Sequence, residues 1–136
     1  MAENEKPQSP RRILIADDNE AIQEVVRRVA AKRGHLIIQA TTGKSALAQA
    51  IETQPDLIVL DMGFPDADGR DVLRELKADK RTALIPVVVW SGRHGHDSDG
   101  RISLDLGAED YVEKSDAELL FRKLERVLLR IETEKA

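Results

Sequence analysis

The stretch that decides the fold is Leu57-Ile58-Val59-Leu60-Asp61-Met62-Gly63-Phe64-Pro65. An uninterrupted apolar run ends here at an aspartate, and glycine and proline follow within a few residues as turn signals. A run that is apolar at every position is typical of a strand buried on both faces of a sheet. The sequence therefore predicts a buried strand that carries the Asp61 carboxylate to one edge of the sheet.

Three more short apolar runs also lead to polar side chains. They are Ile13-Leu14-Ile15-Ala16 before Asp17-Asp18, Val87-Val88-Val89-Trp90 before Ser91, and Tyr111-Val112 before Lys114. Ligands of open parallel sheets bind outside the carboxyl ends of the strands. We therefore expect the carboxylates, the hydroxyl and the amine to form one polar site.

Composition narrows the class of protein. The length of 136 residues favours a single domain, and the absence of cysteine excludes disulfides, thiolate nucleophiles and cysteine-based zinc sites. A net charge of -4 argues against a general nucleic-acid binder. No apolar stretch approaches the roughly 20 residues of a membrane helix. No signal-peptide apolar region is visible, so we expect a cytoplasmic protein without a membrane partner.

Between these runs the hydrophobic pattern alternates between strand and helix. Residues 1–11 are polar, carry two prolines and are predicted to be a disordered tail. Residues 12–133 are predicted to form the folded domain, and 134–136 a short C-terminal tail. Strands are predicted at 12–16, 35–40, 57–60, 87–90 and 109–112. Helices are predicted at about 19–33, after 42–43, from 68–69, after a glycine-rich loop at 92–100, and at 115–133, where Ser115-Asp116-Ala117-Glu118 fits a capping box.

Strict alternation of strand and helix predicts a parallel sheet with helices on both faces. If the strand order is 2-1-3-4-5, the first and third strands are neighbours, roughly 4.8 Å apart. Asp17, Asp18 and Asp61 would then crowd into one small volume. Carboxylates so close repel one another unless a cation holds them, and oxygen ligands of this kind suit Mg²⁺.

The other two strand ends predict what lies beside this metal site. Ser91 would follow the fourth strand and Lys114 the fifth, so a hydroxyl, an ammonium and a divalent ion would surround Asp61. Donors and positive charges aimed at one carboxylate form an anion site next to it. Phosphate is the natural anion, because phosphoryl transfer depends mainly on positioning and charge neutralisation.

Taken together, these residues resemble the receiver domain of two-component response regulators. The resemblance covers residues 12 to about 133, and its motifs are Asp17-Asp18, the segment from Leu60 to Gly69, Ser91-Gly92, and Tyr111-Val112-Glu113-Lys114. It implies an α/β, flavodoxin-like, doubly wound five-stranded parallel sheet in the order 2-1-3-4-5 with five helices. It also implies a stand-alone receiver, a switch without its own output domain.

The resemblance assigns a role to each residue at the acidic end of the site. Asp61 matches the phosphoacceptor, which takes a phosphoryl group from a histidine kinase or a histidine phosphotransfer protein. Asp17, Asp18, Asp61 and the backbone carbonyl of Gly63 match the ligands of Mg²⁺, for which Mn²⁺ can substitute. Such a domain phosphorylates itself and slowly loses the group, so it is a switch rather than a turnover enzyme.

The remaining matches imply how the switch is read. Ser91 and Lys114 match the residues that contact the phosphoryl oxygens, and Tyr111 matches the aromatic that changes rotamer as the hydroxyl moves inward. The surface of the fourth helix, fifth strand and fifth helix then changes, and a downstream protein binds. A homodimer through the last helix, whose apolar band is wide, stays open beside the simpler interpretation that this helix is well buried.

Two positions depart from the family pattern. Ser115 follows Lys114 where the family usually has proline, often with a cis peptide, and a non-proline cis bond costs about 3 to 4 kcal/mol. We therefore expect a trans or rearranged loop there. Gly92 stands where alanine is usual, which leaves the phosphoryl site open and loosens the loop.

Other interpretations of these residues stay open at this stage. One is a haloacid-dehalogenase-like phosphohydrolase, although Gly63 stands where its acid–base aspartate belongs. Another is an interaction module that keeps the fold but works without phosphorylation. Asp18 could simply cap the first helix. His94 and His96 lie in the glycine-rich loop and are interpreted as solvated rather than as metal ligands.

Overall fold

The structure is a computed structural model that describes residues 11–92, 97–114 and 116–135, with the side chains of 97–100 and 135 left aside. The predictions made for residues 1–10, for His94 and His96, and for Ser115 lie outside these described residues. Among the described residues no peptide bond is cis.

Five parallel strands form one sheet in the order β2-β1-β3-β4-β5, as predicted. Over the residues that the structure describes, the strands and helices alternate along the chain. In chain order they are β1 (Arg12–Ala16), α1 (Glu20–Lys32), β2 (Leu36–Ala40), α2 (Gly43–Thr53), β3 (Leu57–Leu60), α3 (Gly69–Ala78), β4 (Val87–Ser91), α4 (Asp97–Asp105), β5 (Asp110–Glu113) and α5 (Ala117–Lys135).

The sheet is buried on both faces, as the uninterrupted apolar runs predict. One face packs Leu14, Ile58 and Val89 against residues of α2 and α3, and the other packs Ile13, Val59 and Val88 against residues of α1 and α5. Because side chains alternate across a strand, every second residue of β1, β3 and β4 belongs to the same cluster. The polar residues that end these strands are therefore fixed by cores on two sides.

Local signals set where α1 begins and ends. The side chain of Asn19 accepts a hydrogen bond from the Ile22 N–H at 3.0 Å and caps the helix. The interpretation of Asp18 as the cap is thus wrong, since the neighbouring residue performs that role. Gly34 follows the helix with φ +82°, a left-handed conformation that favours glycine, so the predicted glycine stop is confirmed.

Other element boundaries differ from the prediction by a few residues. Helix α4 begins at Asp97, although a loop was expected up to Gly100, because glycine lowers helix propensity without forbidding a helix. Helix α5 runs through Lys135, into the expected tail, and its first turn is capped by Asp116, whose Oδ1 accepts the Glu118 N–H at 3.0 Å. Strands β2 and β4 each differ from the prediction by one residue at one end, and β5 is shifted by one residue at both ends.

Helix α5 buries most of its wide apolar band. Six of its apolar residues are buried, whereas Leu119 and Leu129 are exposed; the buried ones are Ala117, Leu120, Phe121, Leu124, Val127 and Leu128. The exposed pair is compatible with a partner contact, and the homodimer stays a prediction. Within the described part of the chain, no helix has the length and apolar character needed to span a membrane.

Candidate functional site

Backbone hydrogen bonds at the carboxyl ends of the strands bring the predicted residues together. The Asp61 N–H donates to the Ala16 carbonyl at 2.9 Å, which places Asp61 beside the end of β1. The Lys114 N–H donates to the Ser91 carbonyl at 2.8 Å, which places Lys114 beside the end of β4. Sheet pairing therefore continues one residue past the strands and sets the backbone from which each functional side chain projects.

Three carboxylates gather at this edge of the sheet. One oxygen from each of Asp17, Asp18 and Asp61 lies within 4.8 Å of the others. Asp17 is 2% exposed, and its Oδ1 accepts the Asn19 N–H at 2.9 Å, whereas Asp18 is exposed to solvent. A compact set of carboxylate oxygens, part buried and part open to water, fits a hard divalent cation that keeps some of its own water.

Lys114 brings a positive charge close to two of these acids. Its Nζ lies 2.5 Å from Asp17 Oδ2 and 3.5 Å from Asp61 Oδ1. The same ammonium lies 5.6 Å from the centre of the Trp90 ring, within the range of a cation–π contact. The predicted meeting of Lys114 with the acidic residues is therefore present in the structure.

Asp61 occupies a partly desolvated position. Burial raises the pKa of its carboxyl group, and the charge of Asp17 acts in the same direction, while Lys114 and the Met62 N–H oppose the shift. The Met62 N–H donates to Oδ1 at 2.9 Å, and Lys114 approaches that same oxygen. Among the described residues Oδ2 accepts no hydrogen bond, so this oxygen is available to a reacting group.

The loop after β3 is held close to the acceptor. At Gly69 a Cβ would lie 2.5 Å from Met62 Cα and 2.6 Å from the Asp61 carbonyl oxygen, so only glycine fits. The Gly69 N–H also donates to the Met62 carbonyl at 2.8 Å. Gly63 is exposed beside Asp61, where its carbonyl is predicted to be a metal ligand.

Ser91 and Tyr111 belong to the same side of the sheet. Val89 of β4 pairs with Tyr111 of β5, so their side chains lie on the same face of the sheet. Ser91 is buried and lies two residues after Val89, so its side chain is on that face as well. Tyr111 packs on the core cluster, and its buried hydroxyl has no hydrogen-bond partner among the described residues. Among the residues that the structure describes, a Cβ at Gly92 would meet only Lys114 Cδ at 3.8 Å, so the usual alanine would fit beside them as well.

Sequence reasoning missed residues that shape the site from outside it. Asp66 accepts hydrogen bonds from the Gly43 and Lys44 N–H groups at 2.8 and 3.1 Å, and so ties the loop after β3 to the start of α2. Ser103, buried on α4, contacts the sulfur of Met62 at 3.9 Å. Asn19 could have been found from its preference for helix N-caps, but the other contacts have no signal in local sequence.

Comparison with known proteins places the chain in a family. Residues 13–125 match the family model of the response regulator receiver domain, so the chain belongs to that family. Over 102 residues it is 37% identical to the KDP operon transcriptional regulatory protein KdpE of Escherichia coli (strain K12), covering 75% of this chain and 44% of that protein. Over 120 residues it is 40% identical to the DNA-binding dual master transcriptional regulator RpaA of Synechocystis sp., covering 88% of this chain and 49% of that protein.

Solved structures agree with this assignment. The crystal structure of a response regulator receiver domain protein (CheY-like) from Methanospirillum hungatei JF-1 matches with a TM-score of 0.84 at 25% identity, covering 93% of this chain and 99% of that one. The predicted flavodoxin-like fold is therefore confirmed. The chain spans about half the length of the curated relatives it matches.

Membership of this family defines the class of protein. Receiver domains are signalling switches of two-component systems, where response regulators pair with histidine kinases, and they generally use Mg²⁺ at an acidic cluster. Asp17, Asp18 and Asp61 form an acidic cluster of this kind, which could hold a metal ion. The family match is to receivers and gives no support to a haloacid-dehalogenase-like hydrolase.

Proposed function

We propose that Asp61 accepts a phosphoryl group from a phosphohistidine on a histidine kinase or phosphotransfer protein, and that the phosphorylated domain binds a downstream protein. One observation carries the proposal. The carboxylate of Asp61, which follows β3, lies within 4.8 Å of a carboxylate oxygen of the buried Asp17 and 3.5 Å from the Lys114 ammonium, and phosphoryl transfer depends on such positioned charges.

The chemistry follows from the placement of these groups. Asp61 Oδ2 attacks the phosphorus atom, a P–O bond forms, and the P–N bond to the donor imidazole breaks with its electron pair passing to that nitrogen. Lys114 and the Ser91 hydroxyl then neutralise and orient the phosphoryl oxygens. Asp17, Asp18, Asp61 and the Gly63 carbonyl would hold Mg²⁺, which supplies further positive charge when bound.

The output is a change of surface rather than a released product. Ser91 and Tyr111 share one face of the sheet, so a hydroxyl drawn toward the phosphoryl group leaves space that the tyrosine ring can enter. Water later hydrolyses the acyl phosphate and resets the switch. We place the protein in the cytoplasm, where histidine kinases present their phosphohistidine.

The relatives suggest what a longer form of such a protein does. KdpE and RpaA are named as transcriptional regulators and are about twice as long as the part this chain matches. We assign only the receiver activity to the residues described here, and the partner bound after phosphorylation is proposed to be a protein rather than a nucleic acid.

Incubation with acetyl phosphate and Mg²⁺, followed by intact-mass spectrometry, tests the proposal. We expect the mass of one phosphoryl group on the wild type and none on Asp61→Asn. Asp105→Asn, which changes an exposed acid on α4, is the matched control and is expected to be modified like the wild type. Loss of modification in EDTA is also expected.

Three results would count against the proposal. No added mass on the wild type, with the fold intact by circular dichroism, would favour a module that works without phosphorylation. Equal affinity for a captured partner with and without beryllofluoride would support that alternative. An added mass that persists in Asp61→Asn would place the acceptor elsewhere.

A further inference from the structure

A buried glutamine on α1 contacts the backbone of the acidic site. Gln23 is 4% exposed, and its Nε2 lies 3.0 Å from the Ile15 carbonyl, 3.0 Å from the Asp17 carbonyl and 3.1 Å from the Ala40 carbonyl. A side-chain amide has only two N–H groups, so the three oxygens share them. One nitrogen thus joins the end of β1, the end of β2 and the loop that carries Asp17.

The hydrogen bond from Gln23 to the Asp17 carbonyl is not duplicated by another described residue. Within the described parts of the chain, Gln23 is the only donor to the Asp17 carbonyl. That carbonyl belongs to the peptide group joining Asp17 to Asp18, two of the three clustered carboxylates. The orientation of this peptide plane sets the direction in which the Asp18 side chain leaves the backbone.

The other contacts around this peptide hold only its first residue. The Asp17 N–H donates to the Ala40 carbonyl at 2.9 Å, and Asp17 Oδ1 accepts from the Asn19 N–H. Asp18 is exposed, and no hydrogen bond or ion pair among the described residues fixes its carboxylate. The hydrogen bond from Gln23 therefore fixes the Asp17–Asp18 peptide relative to the sheet, and with it the backbone from which the Asp18 side chain projects.

Gln23 also carries a cost that its packing does not explain. Its Oε1 is buried and accepts no hydrogen bond among the described residues. An apolar side chain of the same length would avoid this orphaned oxygen but would leave the Asp17 carbonyl without a donor. The donors of the amide, rather than its volume, are what this position requires.

We infer that Gln23 is a positioning residue of the metal site, which orients the Asp17–Asp18 peptide so that both carboxylates converge with Asp61 on Mg²⁺. The inference rests on the proposed function, because it concerns the ion that phosphoryl transfer uses. Residues that hydrogen-bond to metal ligands without contacting the metal typically orient those ligands, and removing such a residue weakens metal binding by about 10- to 100-fold.

Gln23→Met tests this inference, since methionine has similar length and no N–H. Mg²⁺ binding is followed by the fluorescence of Trp90, the single tryptophan, which lies beside Lys114. We expect the dissociation constant for Mg²⁺ to rise about tenfold in Gln23→Met. The matched control is Gln39→Met, an exposed glutamine on β2, and its dissociation constant should equal that of the wild type.

A second readout separates positioning from a general loss of structure. Phosphoryl uptake from acetyl phosphate by Gln23→Met should be slow at low Mg²⁺ and approach the wild-type rate at saturating Mg²⁺. A variant damaged only in its core would be slow at every concentration. Unchanged Mg²⁺ affinity in folded Gln23→Met would overturn the inference.

A measurement on the wild type covers the case in which Gln23→Met does not fold. The side-chain NH₂ signals of Gln23 should be protected from solvent exchange, and they should shift during a Mg²⁺ titration with the same dissociation constant as the Trp90 signal. Gln23 NH₂ signals whose chemical shifts do not change on addition of Mg²⁺ would overturn the inference. A wild type that binds no Mg²⁺ at all would instead reject the proposed function, so the two failures are distinguishable.

Discussion

The ammonium of Lys114 lies 2.5 Å from Oδ2 of Asp17 and only 3.5 Å from Oδ1 of Asp61. The cation thus pairs more closely with a predicted metal ligand than with the predicted phosphoacceptor. A divalent ion bound by Asp17 has to share or displace this contact. Lys114 and Mg²⁺ are therefore expected to compete before phosphorylation and to cooperate after it, when the phosphoryl oxygens offer the ammonium a new partner.

Lys114→Met separates these two effects. Removing the ammonium frees Asp17 Oδ2, so Mg²⁺ should bind about fivefold more tightly, equivalent to about 1 kcal/mol for a partly exposed ion pair. Phosphoryl uptake should nevertheless fall by about a hundredfold, because the charge that stabilises the transition state is lost. Isothermal titration and intact-mass kinetics measure the two quantities. Weaker Mg²⁺ binding by the variant would contradict the predicted competition.

Gly69→Ala should damage both stability and phosphorylation. The new Cβ would meet the Met62 Cα and the Asp61 carbonyl oxygen, which are backbone atoms that cannot rotate away. We expect a loss of about 2 kcal/mol or more in the free energy of unfolding, as for overpacked cores, and slower phosphoryl uptake. Urea denaturation gives the first value.

Gly63→Ala is the matched control for this change. A Cβ at Gly63 would meet no atom of the described part of the chain within 4 Å, and its φ is not positive, so stability should stay within about 0.5 kcal/mol of the wild type. Equal stability of the alanine variants at positions 63 and 69 would show that the close approach at Gly69 is not required.

Glu125→Gln tests the electrostatic link between α5 and the turn before β2. Burial alone would raise the pKa of Glu125, but hydrogen bonds from Arg33 and His35 outweigh it and hold the pKa below the ordinary 4.5. A lowered folded pKa contributes stability above pH 4.5 that is lost as the pH falls through the folded pKa. The variant should therefore be less stable by about 1 kcal/mol at neutral pH, after allowance for solvent screening.

The pH profile of thermal unfolding checks this prediction. The difference between the wild type and Glu125→Gln should shrink steadily below pH 4.5. Glu52→Gln, an exposed acid on α2, serves as the control and should follow the wild type throughout. A difference that stays constant down to pH 3 would refute the assigned role of the Glu125 charge.

Tyr111→Phe should stabilise the unphosphorylated domain. The phenol oxygen is buried and, in the described part of the structure, makes no hydrogen bond. Removing it should add about 1 kcal/mol to the free energy of unfolding, which is the typical cost of an unsatisfied buried polar group. Phosphoryl uptake should be unchanged, because the ring packs on the core rather than on Asp61. Destabilisation would mean that the hydroxyl has a partner in solution.

Most of the fold was readable from hydrophobic periodicity. The uninterrupted apolar run before Asp61 identifies a strand buried on both faces, and strict alternation with helices leaves a parallel sheet as the outcome. The strand order then brings Asp17, Asp18 and Asp61 together, and the structure confirms that meeting. The strands and helices were predicted correctly because they depend on patterns that are local in sequence, whereas the strand order came from the resemblance to receiver domains.

Contacts between segments distant in the chain were not predictable. Gln23 reaches the Ala40 carbonyl through the packing of α1 on the sheet, and Asp66 reaches the start of α2 across a loop. Both residues are polar types that usually lie on the surface, so nothing in their neighbourhood marks them. Helix ends were also misplaced by a few residues, since capping decides them and several residues near each end can cap.

Anomalous diffraction from crystals soaked in Mn²⁺ tests the central claim most directly, because the claim is that these carboxylates bind one divalent ion beside the acceptor oxygen. We predict one strong peak among the carboxylates of Asp17, Asp18 and Asp61, close to the Gly63 carbonyl, with Lys114 displaced from Asp17. An empty density map at this position, with the three carboxylates directed apart, would contradict the account.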